Sequence, residues 1–543
     1  MNVFSPTILS GFQKMQQDTG DPLFNAFVLE HIYKYFFDST YTASLLSPRF
    51  FYPAPNLLTF SDNLLGSAPI YWFFRQFFDW SLSFQLWEII VLVLTYVGFI
   101  WLFRYLKVRP SLSALAAFII TFGMPRVMQV IHPQIFPQFY MPFAFIFLFK
   151  FLKKPNLKDF NLFVLFVFLQ GVAGYYLGWF LVFSLCLLFL VLPIFLKEHV
   201  RQVFVIVSEN SKRFFISTVL WASAFLVFWF PYILTSYYYR DLRVWDYIGD
   251  YMGGIFSWVY VPKTSFWAPV FLWVPEITVA TWEQYVFPGM FVFFLIFLLV
   301  LFFLIKSKLG KLFERIGSLF NFADNADNKD AAFKVGIIQA LFVVFLLISL
   351  VSLKIGNFTL WKYIYLTFPG ADGMRFVARI WVVSYVYLLI SGFLLIENIL
   401  GNFRKSRLAA LLLVAVFVFA ISEQLVFEKK YFYKRRVLQE IDSLSQTIEQ
   451  QHCDISYLET GEGRPIFVEQ HIFTMFAGIQ TNTAVINGYT GTPTFEIDKK
   501  LDRQAVQEYL ARYDYNYGDE IVCLISKRGD FEYFVKDTFR QVD

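Results

Sequence analysis

Ten separate stretches of this chain are too apolar, for too long, to be folded in water alone. A helix needs about 20 mainly apolar residues to cross roughly 30 Å of hydrocarbon, and it can do so because its backbone hydrogen bonds close within it. The stretches fall at 85–104, 111–126, 136–152, 160–174, 176–196, 214–233, 286–305, 335–353, 377–397 and 408–425. The fourth is short and holds Gly171 and Gly174. Composition agrees: 57% of the 543 residues are hydrophobic and 16% charged, against roughly 45–50% and 25% in a soluble domain. With 71 Phe and 21% aromatic residues, a disordered chain is excluded. A net charge of +5 with no Lys/Arg tract leaves no footprint for nucleic acid. Three cysteines (Cys186, Cys453, Cys523) and five histidines do not make a disulfide scaffold or a zinc cluster of ordinary spacing.

Lys and Arg are unevenly divided between alternate connections. The segments 104–110, 150–158, 197–213, 306–334 and 398–407 hold 20 of them in some seventy residues. The first 84 residues with 126–135, 234–285 and 354–379 hold 12 over more than twice that length. The positive-inside rule places the first set in the cytoplasm and both chain ends outside. Residues 1–84 contain neither a signal peptide nor a span to carry them across. The parity therefore predicts an N-terminal transmembrane helix missing from this chain, which an apolar segment encoded upstream would reveal.

Three regions follow: residues 1–84 as a first outward loop with interfacial helices, 85–427 as the transmembrane helical domain, and 428–543 as a small outward α/β domain. In the last, Val437, Ile441, Leu444 and Ile448 recur at helical spacing, and Asp502 precedes RQAVQEYLARY as an N-cap. IVCLI (521–525) and FEYFV (531–535) flank SKRGD and predict a β-hairpin. Cys453 and Cys523 would share an oxidising compartment; a disulfide and two buried thiols are both open. The segment 306–334 reads as a solvated cytoplasmic connector with a basic start.

The central parts of the ten stretches carry no Asp, Glu, Lys or Arg, which argues against an ion-coupled transporter, where such groups sit near the midplane. Acids gather in the outward loops instead, among them Asp21, Asp62, Asp241, Asp246, Asp250, Glu276 and Glu283. Each of the two leading candidates also has a structural reading. Asp21 before Pro22 fits an N-cap with Pro at the first helical position, and Asp62 could cap a helix through NLLGSAPIYW. The run Tyr52–Pro55 would be a stiff, extended link between two such helices. His132 is more often structural or headgroup-contacting than a base. The aromatic loop 234–285 reads mainly as an interfacial belt, with a sugar-stacking platform as the sharper alternative.

GDPLFNAFVL (20–29) followed by FYPAPNLLTFSDNLLG (51–66) resembles the first outward loop of YfhO-like bacterial polytopic membrane proteins, a group placed with the GT-C glycosyltransferases. FPGADGMRFVARIW (368–381) and AVINGYTG (484–491) are similar to two further patches of that group. The resemblance implies a mainly α, GT-C-like transmembrane bundle in the bacterial inner membrane. It also implies an inverting transfer of sugar from a polyprenyl phosphate carrier to an envelope acceptor at the outer face. Asp21 matches the family's essential loop acid, and Asp62 would assist. Arg375 and Arg379, one helical turn apart if helical, would hold the phosphate by their bidentate forks, with Arg126 a third candidate. Some GT-C enzymes use a divalent metal. Asp21 and Asp62 would offer Mg²⁺ or Mn²⁺ two oxygen ligands, too few to identify a site. The rival expectation is a non-catalytic protein of the same architecture that moves or organises envelope lipids.

Overall fold

A computed structural model describes residues 2–238, 245–261, 263–271, 281–284, 286–306, 329–401, 407–427, 429–461, 464–490, 502–513, 515, 518–529 and 531–540. Each of the ten apolar stretches contains a helix. Among the described residues six helices are long and apolar enough to cross a membrane: Trp80–Tyr105, Pro110–Val127, Tyr175–Phe195, Ser211–Tyr238, Asp330–Ser352 and Val377–Gly401. Those at Met141–Lys153, Leu157–Ala173, Met290–Lys306 and Arg407–Ser422 are shorter. The third stretch loses its first turns to Pro133, Pro137 and Pro142, which withhold backbone donors and leave residues 136–140 irregular. Gln170, on the neighbouring helix, bonds to the irregular backbone at both of its ends. Its Nε2 donates to Pro137 O at 2.7 Å, and its Oε1 accepts from Met141 N at 3.2 Å. Non-helical backbone is tolerated in an apolar setting when protein satisfies it in this way.

The helix that begins at Trp381 is the axis of the bundle, with every residue from Trp381 to Leu395 buried. It packs on Lys329–Ser352, Pro110–Phe122 and Met290–Lys306. Ser211–Tyr238 lies at the edge and buries only Phe214, Ser217 and Thr235, the pattern of a helix whose outer faces meet lipid. Leu157–Ala173 and Tyr175–Phe195 approach closely enough that a Cβ on Gly178 would sit 2.3 Å from Gly171 Cα, so a side chain there would force the pair apart.

Charged connections collect at one end. Arg109 grips Glu397 through two bonds of 2.9 and 3.0 Å, and Lys107 and Lys153 both reach Asp330, at 2.9 and 3.2 Å. Segments of the basic-rich set therefore share one end of the bundle. The connector expected at 306–334 lies mostly outside the described residues.

At the other end the first loop and the C-terminal region fold into each other. Strands β1 (Lys14–Gln16) and β2 (Tyr431–Tyr433) pair antiparallel. A four-stranded sheet follows, in the order β4 (Ala484–Val485), β3 (Ile455–Leu458), β5 (Val522–Lys527) and β6 (Tyr533–Phe539). Its first two pairings are parallel, and β5–β6 is the expected hairpin, with Lys527 opposite Tyr533. The helix Lys434–Gln450 buries Val437, Ile441, Leu444 and Ile448, as their spacing predicts. Asp502 caps the helix Arg503–Ala511, its Oδ1 accepting from Ala505 N at 2.9 Å.

The Tyr52–Pro55 run begins at the edge of this sheet instead of bridging two helices. Val485 N donates to Arg49 O at 2.8 Å, Tyr52 N to Val485 O at 3.0 Å and Phe51 N to Asn487 O at 3.1 Å. A Cβ on Gly488 would lie 2.5 Å from the Phe51 ring, so this contact requires glycine.

Cys453 and Cys523 form a disulfide, Cα–Cα 5.8 Å, that closes a sequence separation of 70 residues. Removing a cross-link over a loop of that length costs about 4 kcal/mol on chain-entropy grounds. The double variant Cys453→Ser/Cys523→Ser is expected to show much faster hydrogen exchange along β3 and β5 than the oxidised protein. Equal protection would mean that the bridge adds nothing.

Candidate functional site

The helix Asp21–Phe37 begins one residue earlier than the Asp-Pro reading predicts. Gly20 is the cap, Asp21 is the first helical residue, and its side chain makes no capping bond. The structural reading of Asp21 therefore fails, because its carboxylate is left free for tertiary contacts. Asp18 Oδ1 accepts from Gly20 N at 3.0 Å, a turn that leads into the helix without capping it. One turn on, Asn25 Nδ2 donates to Asp21 O at 2.7 Å and to Gln134 Oε1 at 2.9 Å, fixing the helix start against the loop that carries His132.

Asp21 Oδ1 accepts from the Tyr489 hydroxyl at 2.7 Å, and Oδ2 lies 2.6 Å from His132 Nδ1. On the other side of the ring, His132 Nε2 lies 2.7 Å from Glu283 Oε1. This is an ion-pair contact off the line of an aligned hydrogen bond. Glu283 in turn takes the guanidinium fork of Arg379, Nη2 to Oε1 at 2.7 Å and Nε to Oε2 at 3.2 Å. Five segments, from residue 21 to residue 489, thus converge on one file of groups: Tyr489, Asp21, His132, Glu283 and Arg379. His132, Glu283 and Arg379 are buried, whereas the Asp21 side chain keeps 21% of its surface exposed.

Two acids and two bases in contact neutralise one another, which makes their burial tolerable. Burial alone would push the Asp21 carboxyl up, but His132, Tyr489 and Arg379 together hold it below the usual range. For Glu283 burial acts the same way, and Arg379 with His132 overrides it, bringing the carboxyl down to about 2. Burial and Arg379 press the His132 pKa down, while Glu283 and Asp21 raise it above its ordinary value. The imidazolium form is thus favoured between two carboxylates.

Asp62 does cap a helix, though not its own. Its Oδ1 accepts from Tyr176 N at 3.3 Å and from Tyr175 N, closing the first turn of Tyr175–Phe195 from 113 residues away. No local pattern in NLLGSAPIYW could reveal a partner that distant. Asp62 sits in the electrostatic field of Arg379 and Asp21, and burial raises its carboxyl to about 6. A folded-state pKa above the unfolded one costs stability as pH rises through the folded value. Asp62→Asn, which keeps the accepting oxygen, is expected to match the wild type near pH 3, below the unfolded pKa, and to exceed it above pH 7 by roughly 3 kcal/mol, the difference building up between about pH 4 and 6. Melting curves at the two pH values would check this, and an equal difference at both would reject the assignment.

Arg375 and Arg379 do not share a helical face. Residues 371–380 run through two short 3-10 turns, Ala371–Gly373 and Val377–Ile380, not an α-helix. Both guanidinium groups lie over the Phe376 ring, Arg375 at 4.8 Å and Arg379 at 4.4 Å from its centroid. Arg379 is 3% exposed and committed to Glu283; Arg375 is less buried, and its charge reaches Tyr489. Arg126 is buried in the turn Met124–Val127 and donates to Ile135 O at 2.6 Å and to Gln138.

Asp21 and Asp62 do not suit a divalent metal. The Asp21 oxygens are held by His132 and Tyr489, and Asp62 Oδ1 by backbone N–H donors. No group of three His, Cys, Asp or Glu converges for a metal among the described residues. Several rings of the 234–285 loop pack inward, Trp258 on Trp381 at 4.4 Å and Tyr251 on Phe376 at 4.9 Å. Asp241 and Glu276 lie outside the described residues, as do the side chains of Asp246 and Asp250.

No known family model and no curated protein matches this chain.

Proposed function

We propose that this protein is a multi-pass bacterial inner-membrane glycosyltransferase of GT-C type. It would take a sugar from a polyprenyl phosphate carrier and pass it to an envelope acceptor on the outer face. The observation that carries the reading is Asp21: a carboxylate freed from helix capping, held between Tyr489 and His132, and still partly exposed. A carboxylate so placed can orient an acceptor hydroxyl for attack on the anomeric carbon opposite the departing phosphate. Held below its usual pKa, it is ionised at every physiological pH. It takes the proton late, once the sugar has the oxocarbenium character that makes the attacking hydroxyl acidic. The departing phosphate needs positive charge, which Arg375 and Arg126 would offer near the same loops, Arg379 being engaged by Glu283.

The outward orientation is supported by the division of Lys and Arg and by the Cys453–Cys523 bridge, which suits an oxidising compartment. The neutrality of the ion file favours the rival reading of a non-catalytic lipid-handling protein, since structural networks balance their charges in the same way. Purified protein in proteoliposomes carrying prenyl phosphate sugars separates the two. Transfer with release of prenyl phosphate supports the enzyme, whereas carrier binding without turnover supports its rival.

A further inference from the structure

At the basic end of the bundle the chain reverses through a helix too polar to cross a membrane. Lys197–Glu209 joins Tyr175–Phe195 to Ser211–Tyr238, carries Lys197, Glu198, Arg201 and Glu209, and buries none of its 13 residues. Its place is fixed by His199, whose ring lies 5.0 Å from that of Phe333. The Phe333 ring also takes Lys153 at 4.8 Å, the lysine that reaches Asp330. A short amphipathic helix so placed lies in the plane of the interface, its apolar side chains towards acyl chains and its cations at headgroup level.

Between this helix and the end of Tyr175–Phe195 opens a groove of about 550 Å³, lined by Pro193, Lys197, Val200, Arg201, Phe204 and Val205. That volume falls within the roughly 300–1,000 Å³ of small-molecule clefts. Lys197, Arg201 and Phe204 follow one another at intervals of four and three, so they share one face of the helix. Glu198 and Glu209 are not among the lining residues. Both cations are exposed, and among the described residues neither side chain makes a hydrogen bond or an ion pair. Beside them the walls are apolar. Phe204 is 70% exposed, and Pro193 leads one turn back onto Phe189 and Leu190, 46% and 73% exposed, on a helix long enough to span a membrane. Water would suit the cations and not the stripe; an amphiphile with a phosphate head suits both.

We propose that this groove holds one anionic phospholipid of the cytoplasmic leaflet, its phosphate taken by Lys197 and Arg201 and an acyl chain laid on Phe204, Pro193 and Leu190. Arg201 offers the fork that matches two phosphate oxygens, and Lys197 a point charge beside it. The negative surface of that leaflet presents such lipids to a basic pocket between helices. A zwitterionic lipid carries the same phosphate with an ammonium of its own, so preference for net negative charge is the signature of the site. The lipid would pin the reversal between two spans at the end of the bundle away from the ion file. Nothing in this depends on Asp21 or on sugar transfer.

The test titrates purified protein in detergent with dioleoyl phosphatidylglycerol, dioleoyl phosphatidylcholine or glycerol 3-phosphate, read by native mass spectrometry and by thermal unfolding. Wild type is compared with Lys197→Gln/Arg201→Gln and with Lys212→Gln/Arg213→Gln, which removes two exposed cations outside the groove. The proposal expects wild type to retain one phosphatidylglycerol, with a rise in melting temperature that phosphatidylcholine does not give. The groove variant should bind it roughly 10–30-fold more weakly, at about fivefold per cation, and the control variant like wild type. Without lipid all three should melt together, because the substituted side chains are exposed. Equal binding by wild type and the groove variant, an equal loss in the control, or no preference for phosphatidylglycerol overturns the proposal. A response to glycerol 3-phosphate as large as to the lipid also overturns it, since the apolar stripe would then play no part. A groove variant that melts lower without lipid makes the two cations structural and counts against it as well.

Discussion

Replacing Asp21 with Asn is expected to lower sugar transfer by 10²–10⁴-fold, the usual worth of a positioned general base, while leaving folding and membrane insertion intact. Asn keeps the size of the side chain and can still accept from the Tyr489 hydroxyl, but it cannot take a proton or balance the His132 imidazolium. Tyr489→Phe removes one hydrogen bond to Asp21 and leaves the base in place, so its effect should be smaller. Transfer by purified Asp21→Asn protein at the wild-type rate would dismiss Asp21 from the chemistry. A fall in rate matched by an equal fall in folded protein would count against it as well.

Glu283→Gln should produce the largest loss of stability of any single change at the site. Glu283 is 1% exposed and faces both His132 and Arg379. Deleting its charge leaves Arg379 buried beside a neutral amide, and breaking a buried pair from one side costs about 3–5 kcal/mol. The double variant Glu283→Gln/Arg379→Leu should recover much of that loss, because the cost lies in the widowed charge more than in the missing bond. Thermal unfolding of the four proteins in one detergent would measure the coupling. Additive losses from the two single changes would show that Glu283 and Arg379 are hydrated independently.

Much of the architecture is legible in the chain because it is written in local periodicity. Apolar runs mark the helices, and Val437, Ile441, Leu444 and Ile448 mark an amphipathic helix at the spacing the structure uses. Proline and glycine set the departures. The third stretch loses its first turns to Pro137 and its neighbours, and the second breaks at Gly123, where Gln424 Oε1 accepts from Met124 N at 2.7 Å.

The site is less legible, because its bonds join residues more than a hundred positions apart. Asp21 and Arg379 are identified by resemblance. Their connection through His132 and Glu283 leaves no trace in spacing, so His132 reads as a structural residue and Glu283 as one loop acid among several. Tyr489 lies inside the AVINGYTG patch, yet nothing in that patch points to Asp21. Asp62 illustrates the same limit, since a cap is expected and found, on a helix that begins at Tyr175. The first loop and the C-terminal region read as separate segments, but residues 49–52 hydrogen-bond along β4 and β1 pairs with β2.

The most direct test of the account is a mass-spectrometric comparison of envelope glycans from cells with the gene, without it, and with only the Asp21→Asn form. The account predicts that one glycan loses a sugar when the gene is removed, that the wild-type gene restores it, and that the Asp21→Asn gene does not. Identical glycans in all three strains, or full restoration by the Asn form, would contradict it.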